Sequence, residues 1–144
     1  MQRHETKEDR DNEEAIISEF CWAFGLTYQK LHHEGRYKLD YGIYNGDRKL
    51  ISLAEVKDRG ASFDTIIMDL SKFREMHHYT TMGLSCVFIV RVPEGIHYCR
   101  FYEHQLLGYA RSAKLHVSAK RETDNGPVVH IPWKHFASLP SGNK

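Results

Sequence analysis

The chain has 144 residues, enough for one domain to bury a hydrophobic core without disulfide or metal staples. Its 20 Lys and Arg against 19 Asp and Glu leave a formal net charge of +1, which argues against a passive nucleic-acid coater; any such contact must be a local patch. Cys21, Cys86 and Cys99 form no CxxC pair and suit a reducing compartment, and no segment reads as a signal peptide or membrane span, so a soluble cytoplasmic protein is expected.

Residues 1–11, in the charged opening MQRHETKEDRDNEE, carry almost no apolar side chains and predict a flexible N-terminal arm, leaving a single domain over 12–144. Ile16, Ile17, Phe20, Cys21 and Phe24 then recur at helical spacing, and Asp11 with Glu14 resembles a capping pair; together they predict a helix over 13–24. GLTYQKLHHEG fits a short strand and a second helical piece and stays open. RYKLDYGIYNGDRKLISLAEVK contains two extended runs around Asn45-Gly46, a strong hairpin signal. Phe63, Ile66, Ile67, Leu70, Phe73 and His77 follow a helical period, with Gly83 placed to end the helix.

CVFIVRV at 86–92 is almost continuously apolar, as a strand covered on both faces should be, and Pro93-Glu94-Gly95 turns the chain into IHYCRFY. Strand, helix and buried strand in succession imply a right-handed parallel crossover. KLHVS and VVHI alternate like short strands and are expected to extend an edge. Neither an internal repeat nor a dividing linker is present.

The segment LAEVKD, at 53–58, places two charges where the pattern reads as interior. Alternation puts Ile51, Leu53, Glu55 and Lys57 on one strand face and Ser52, Ala54 and Val56 on the other, so Glu55 and Lys57 extend an apolar stripe. A hairpin loop of even length brings Asp40 to the Glu55 face. A two-residue turn sets Asp40 opposite Ile51, and a four-residue loop, the one that suits a shared ion, sets it opposite Leu53. Two carboxylates could hold a divalent cation that polarises a phosphate and acidifies a bound water, while Lys57 orients that water or stabilises the developing charge. Mg²⁺ suits this donor set because it prefers oxygen and commonly takes one or two protein carboxylates.

Asp40 followed by Glu55-Val56-Lys57 at a strand end, with a preceding helix bearing Glu14, resembles the PD-(D/E)XK nuclease superfamily in its small phage and bacterial forms. Leu39 stands where that family's pattern has proline. The resemblance covers residues 12–102 and implies an α/β fold: a restriction-endonuclease-like core, ordered αβββαβ, whose mixed central sheet is flanked by helices. It implies a Mg²⁺- or Mn²⁺-dependent endonuclease acting on DNA, with Asp40 and Glu55 as metal ligands, Lys57 as the catalytic lysine and Glu14 as a first-helix acid. Lys72 matches a position that some members place near the phosphate, and VVHIPWKHF resembles a closing strand of some phage-type members. Because members of this architecture often dimerise to cut two strands, a homodimer is left open.

Plainer readings exist for most of these residues. Asp40 suits a half-exposed strand, Glu14 suits a cap partner equally well, and Lys72 suits a solvated helix face. Lys57, Arg59, Lys114, Lys120 and Arg121 could line a local phosphate track, although a solvated loop accounts for Lys120 and Arg121 equally. A zinc site fails on geometry, since the Pro93–Gly95 turn separates Cys86 from Cys99 and the His32-His33 and His77-His78 pairs are chain neighbours. The rival functions are a non-catalytic module that keeps the fold to bind nucleic acid or protein, and an enzyme acting on RNA or small phosphoesters.

Overall fold

The computed structural model describes residues 6–31, 39–60, 65–101, 116–119 and 127–139. Helix α1, Lys7–Phe24, opens on a reciprocal cap: Asp9 N donates to Thr6 Oγ1 at 3.0 Å and Thr6 N donates to the Asp9 carboxylate at 3.2 Å. Residues 7–11, expected as part of a flexible arm, are therefore the first turns of the helix. Their charges stabilise it through the Lys7–Asp11 ion pair at 3.0 Å and through Glu8 and Asp9 at the positive end of the helix dipole. The cap is thus Thr6 with Asp9 rather than Asp11 with Glu14. Gly25, at φ 69°, ends the helix in the left-handed conformation.

Strands β1 (Thr27–Lys30), β2 (Tyr41–Tyr44) and β3 (Leu50–Asp58) form an antiparallel meander. The ambiguous GLTYQKL segment thus supplies the first core strand. After β3 come β4 (Thr65–Asp69), helix α2 (Leu70–Thr81), β5 (Ser85–Val92) and β6 (Gly95–Phe101). β5 returns parallel to β3, as the strand–helix–strand pattern predicts, and β6 pairs antiparallel with β5. With β9 (Ala137–Ser138) at its end, the main sheet is a six-stranded mixed sheet ordered β1-β2-β3-β5-β6-β9.

The helix expected to begin soon after Gly60 starts only at Leu70. Thr65-Ile66-Ile67 is β-branched and forms β4, whose Ile66 and Met68 alternate into the core. Ile66, Leu70 and Phe73 also fit a helical spacing, so periodicity alone could not separate the two forms. Nor do the KLHVS and VVHI strands extend the main sheet. β8 (Pro127–Pro132) pairs with β4, and β7 (His116–Ala119) pairs with β8, in a second, three-stranded antiparallel sheet ordered β4-β8-β7. The VVHIPWKHF run is β8 followed by a short 3-10 turn at Trp133–His135 that leads into β9.

Two apolar clusters cover the main sheet. Ile16, Ile17, Phe20 and Cys21 of α1 pack on Ala54, Val56, Val87 and Ile89 on one face. On the other, Leu53, Phe88 and Val90 meet Phe73 and Met76 of α2, Ile66 and Met68 of β4, and Val129 and Ile131 of β8. Among the described residues no helix is long and apolar enough to cross a membrane.

Candidate active site

The hairpin register differs from both expected pairings. Gly42, not Asp40, stands opposite Leu53, and the pairing shifts between Ile43 and Tyr44, where Ile43 faces Ser52 but Tyr44 faces Leu50. Ile51 is the extra residue. It packs with the α1-side cluster, so the shared face that alternation predicts for Ile51 and Leu53 does not hold. The Asn45 side chain closes the loop by accepting from Asp47 N and Lys49 N.

This offset brings Asp40 level with the Glu55–Lys57 end of β3. Asp40 N donates to the Ala54 carbonyl at 2.9 Å, and Asp40 Oδ2 accepts from Val56 N at 3.0 Å. The carboxylate thus replaces a strand carbonyl in the ladder and is anchored on the N–H of Val56, the residue between Glu55 and Lys57. Asp40 is 5% exposed and Glu55 3%, a degree of burial that carboxylates seldom reach without charged partners. Glu55 lies beside Phe88 and Lys57 beside Val90, which places both on the face covered by α2.

Lys72, in the first turn of α2, donates to Glu55 Oε1 at 3.1 Å. Its position is set by its helix, since Phe73 and Met76 bury the adjacent stripe and Phe73 meets Phe101 edge-on. Burial, then repulsion from Asp40, raises the Glu55 carboxyl to about 8, against the pull of Lys72 and Lys57. Burial acts to lower the Lys72 ammonium, but Glu55, Asp40 and Asp69 outweigh it and hold the group above its ordinary value. The Lys72 shift favours an ionised Glu55, whereas burial beside a second carboxylate favours a neutral one. The upward push prevails at Glu55, because its side chain is only 4% exposed and Asp40 is buried beside it.

The other sequence candidates separate. Glu14 is exposed on α1, on the opposite side of the sheet, where it accepts from the Tyr28 hydroxyl at 3.1 Å. It is not brought to Asp40 and Glu55. Its neighbour Glu13 is more buried and lies 3.6 Å from Lys30, whose strand partner is Tyr41, the residue after Asp40. Sequence reasoning passed over Glu13, yet it precedes Ile16, Ile17 and Phe20 at helical spacing and so extends the buried stripe of α1. Arg59 is engaged within the fold: its guanidinium donates to the Ile67 carbonyl at 3.1 Å, tying β4 to the end of β3. Lys120 and Arg121 lie outside the described residues.

Cysteine chemistry does not compete at this site. Burial pushes the thiols of Cys21 up to about 11 and Cys86 up to about 12, so neither offers a thiolate near neutrality. Among the described residues no three His, Cys, Asp or Glu side chains gather as a metal cage. Two anchored carboxylates are nonetheless the number that Mg²⁺ commonly takes from protein, with water and phosphate oxygens completing its shell. The hard oxygen donors and the electrostatic conflict between Asp40 and Glu55 fit such a cation.

A mixed sheet in αβββαβ order, with a buried acidic pair and a lysine at the end of its third strand, defines the restriction-endonuclease-like class of α/β domains. The chain belongs to the family described as "Phage putative PDDEXK endonuclease", whose profile matches residues 1–139. It is also similar in structure to Archaeoglobus fulgidus Hjc, a Holliday junction resolvase from an archaeal hyperthermophile. That match has a TM-score of 0.51 at 14% sequence identity and covers 86% of this chain and 88% of the Hjc chain. No curated protein matches.

Proposed function

We propose that this chain is an endonuclease that hydrolyses phosphodiester bonds in DNA with Mg²⁺ or Mn²⁺. The observation that carries the reading is the buried Asp40–Glu55 pair, anchored through Val56 N, with Lys57 next on the same strand face. Asp40 and Glu55 would hold the ion, which when bound polarises the phosphate and lowers the pKa of a coordinated water. Asp40 keeps its position through the Val56 hydrogen bond, so metal loading need not reorganise β3. Lys57 orients the attacking water or offsets the negative charge that grows on the phosphoryl oxygens. The surrounding apolar cluster of Leu53, Phe88 and Val90 lowers the local dielectric and strengthens each of these interactions.

Family membership supports nuclease chemistry, and the structural likeness to a junction resolvase supports DNA as the substrate. A homodimer, by which two sites could cut two strands, belongs to the same proposal. Incubating the protein with supercoiled, linear, branched and single-stranded DNA in Mg²⁺, Mn²⁺ or EDTA tests it. Metal-dependent cleavage of at least one substrate is expected. Failure on every substrate would favour the non-catalytic binding module, and cleavage confined to RNA would overturn the choice of substrate.

A further inference from the structure

The lysine on α2 is held closer to the acidic pair than a solvated helix residue needs to be. Lys72 Nζ lies 3.1 Å from Glu55 Oε1, the Glu55 side chain is 4% exposed and the Lys72 side chain 20%. The ammonium therefore covers the carboxylate at the margin of solvent. A cation ligated through that same oxygen and an ammonium donating to it would be two positive charges in one small, weakly screened space. Lys72 also sits on a different element from both acids. Its four-carbon stem can retract toward solvent while Asp40 keeps its hydrogen bond from Val56 N of β3.

Building on the nuclease reading, we propose that Lys72 is a resident counter-ion of the acidic pair, which a divalent metal must displace in order to bind. Three consequences follow from this exchange. The metal-free site stays charge-compensated and folded. Metal affinity is reduced by the strength of the contact that must be broken. The Lys72 amine becomes accessible when metal enters.

The test uses the full chain with Mn²⁺ alone as the probe. Calorimetric titration compares the unaltered protein with Lys72→Met, which keeps the aliphatic stem, with Lys57→Met as a charge control and with Glu55→Gln as a site control. Lys72→Met should bind Mn²⁺ about ten- to hundredfold tighter, the affinity equivalent of one charge-assisted hydrogen bond no longer broken on binding. Lys57→Met should tighten binding less, since it removes charge without releasing that contact. In parallel, amine acylation read by peptide mass spectrometry should show Lys72 protected in EDTA and several-fold more reactive in Mn²⁺, with the Lys57 rate unchanged. That second measurement needs no variant, so it decides the matter even where Lys72→Met does not fold.

Unchanged or weaker Mn²⁺ affinity in folded Lys72→Met, or equal Lys72 reactivity with and without Mn²⁺, overturns the exchange and leaves the metal site standing. Failure of the nuclease reading looks different: the unaltered protein then shows no Mn²⁺ binding that Glu55→Gln removes.

Discussion

Replacing Glu55 with glutamine in metal-free protein should reveal how much stability the acidic pair costs. The Glu55 carboxyl moves from an ordinary 4.5 to about 8 in the fold, so between those values the native state holds a proton that the unfolded chain releases. Native protein then binds more protons than unfolded protein, and stability falls as pH rises, with a slope approaching about 1.4 kcal/mol per pH unit. Integrated to pH 8, this is an upper bound of about 4 kcal/mol, and the opposing pull of Lys72 makes a smaller value reasonable. Glutamine matches the protonated acid in shape and hydrogen bonding but cannot ionise. Urea unfolding in EDTA at pH 5, 6.5 and 8 should show the variant close to the parent at pH 5 and more stable at pH 8, by on the order of 2–4 kcal/mol. Parallel pH profiles for parent and variant would refute the claim that burial and Asp40 hold the Glu55 proton.

Four further outcomes follow from the same geometry. Asp40→Asn should abolish Mn²⁺ stabilisation in a thermal-shift titration, where the parent gains about 2.7 kcal/mol at 100 times its dissociation constant. Glu14→Gln should leave the cleavage rate close to the parent's in a side-by-side assay, because it loses only a contact with Tyr28 on the far side of the sheet. Arg59→Ala should destabilise the fold by about 1–3 kcal/mol in urea unfolding, by freeing the Ile67 carbonyl, and should leave the salt dependence of DNA binding unchanged. Metal binding must expel the Glu55 proton below about pH 8, so Mn²⁺ affinity should rise between pH 6 and 8 with measurable proton release.

Much of this architecture can be read from the sequence where one physical signal dominates. Asn45-Gly46 marks the hairpin, continuous apolarity marks β5 as a strand buried on both faces, and Glu55 with Lys57 interrupts a stripe that should be apolar. The parallel return of β5 beside β3 follows from those elements. What could not be read has equally specific causes. The five-residue loop and the extra residue Ile51 change the register by backbone geometry that no side-chain pattern reports, and that change carries Asp40 toward Glu55. β4 was hidden because Ile66 and Leu70 fit two periodicities at once, and the decision between them came from the distant partner β8. Charged residues 7–11 read as a solvated arm because a cap at Thr6 and an ion pair between Lys7 and Asp11 depend on local geometry, not on hydropathy. Lys72 and Glu13 flank buried helix stripes, a signal present in the sequence but shared with many ordinary surface residues.

The most direct test of the account is the single-turnover cleavage rate of Lys57→Ala on the best DNA substrate under saturating Mn²⁺. Lys57 is assigned to the reaction and not to holding the ion, so the variant should stay folded and metal-bound while its rate falls by about a hundredfold to a thousandfold, the usual cost of one preorganised electrostatic group. A folded, Mn²⁺-loaded Lys57→Ala that cuts at the parental rate would contradict the central claim that the end of β3 is the site of phosphodiester hydrolysis.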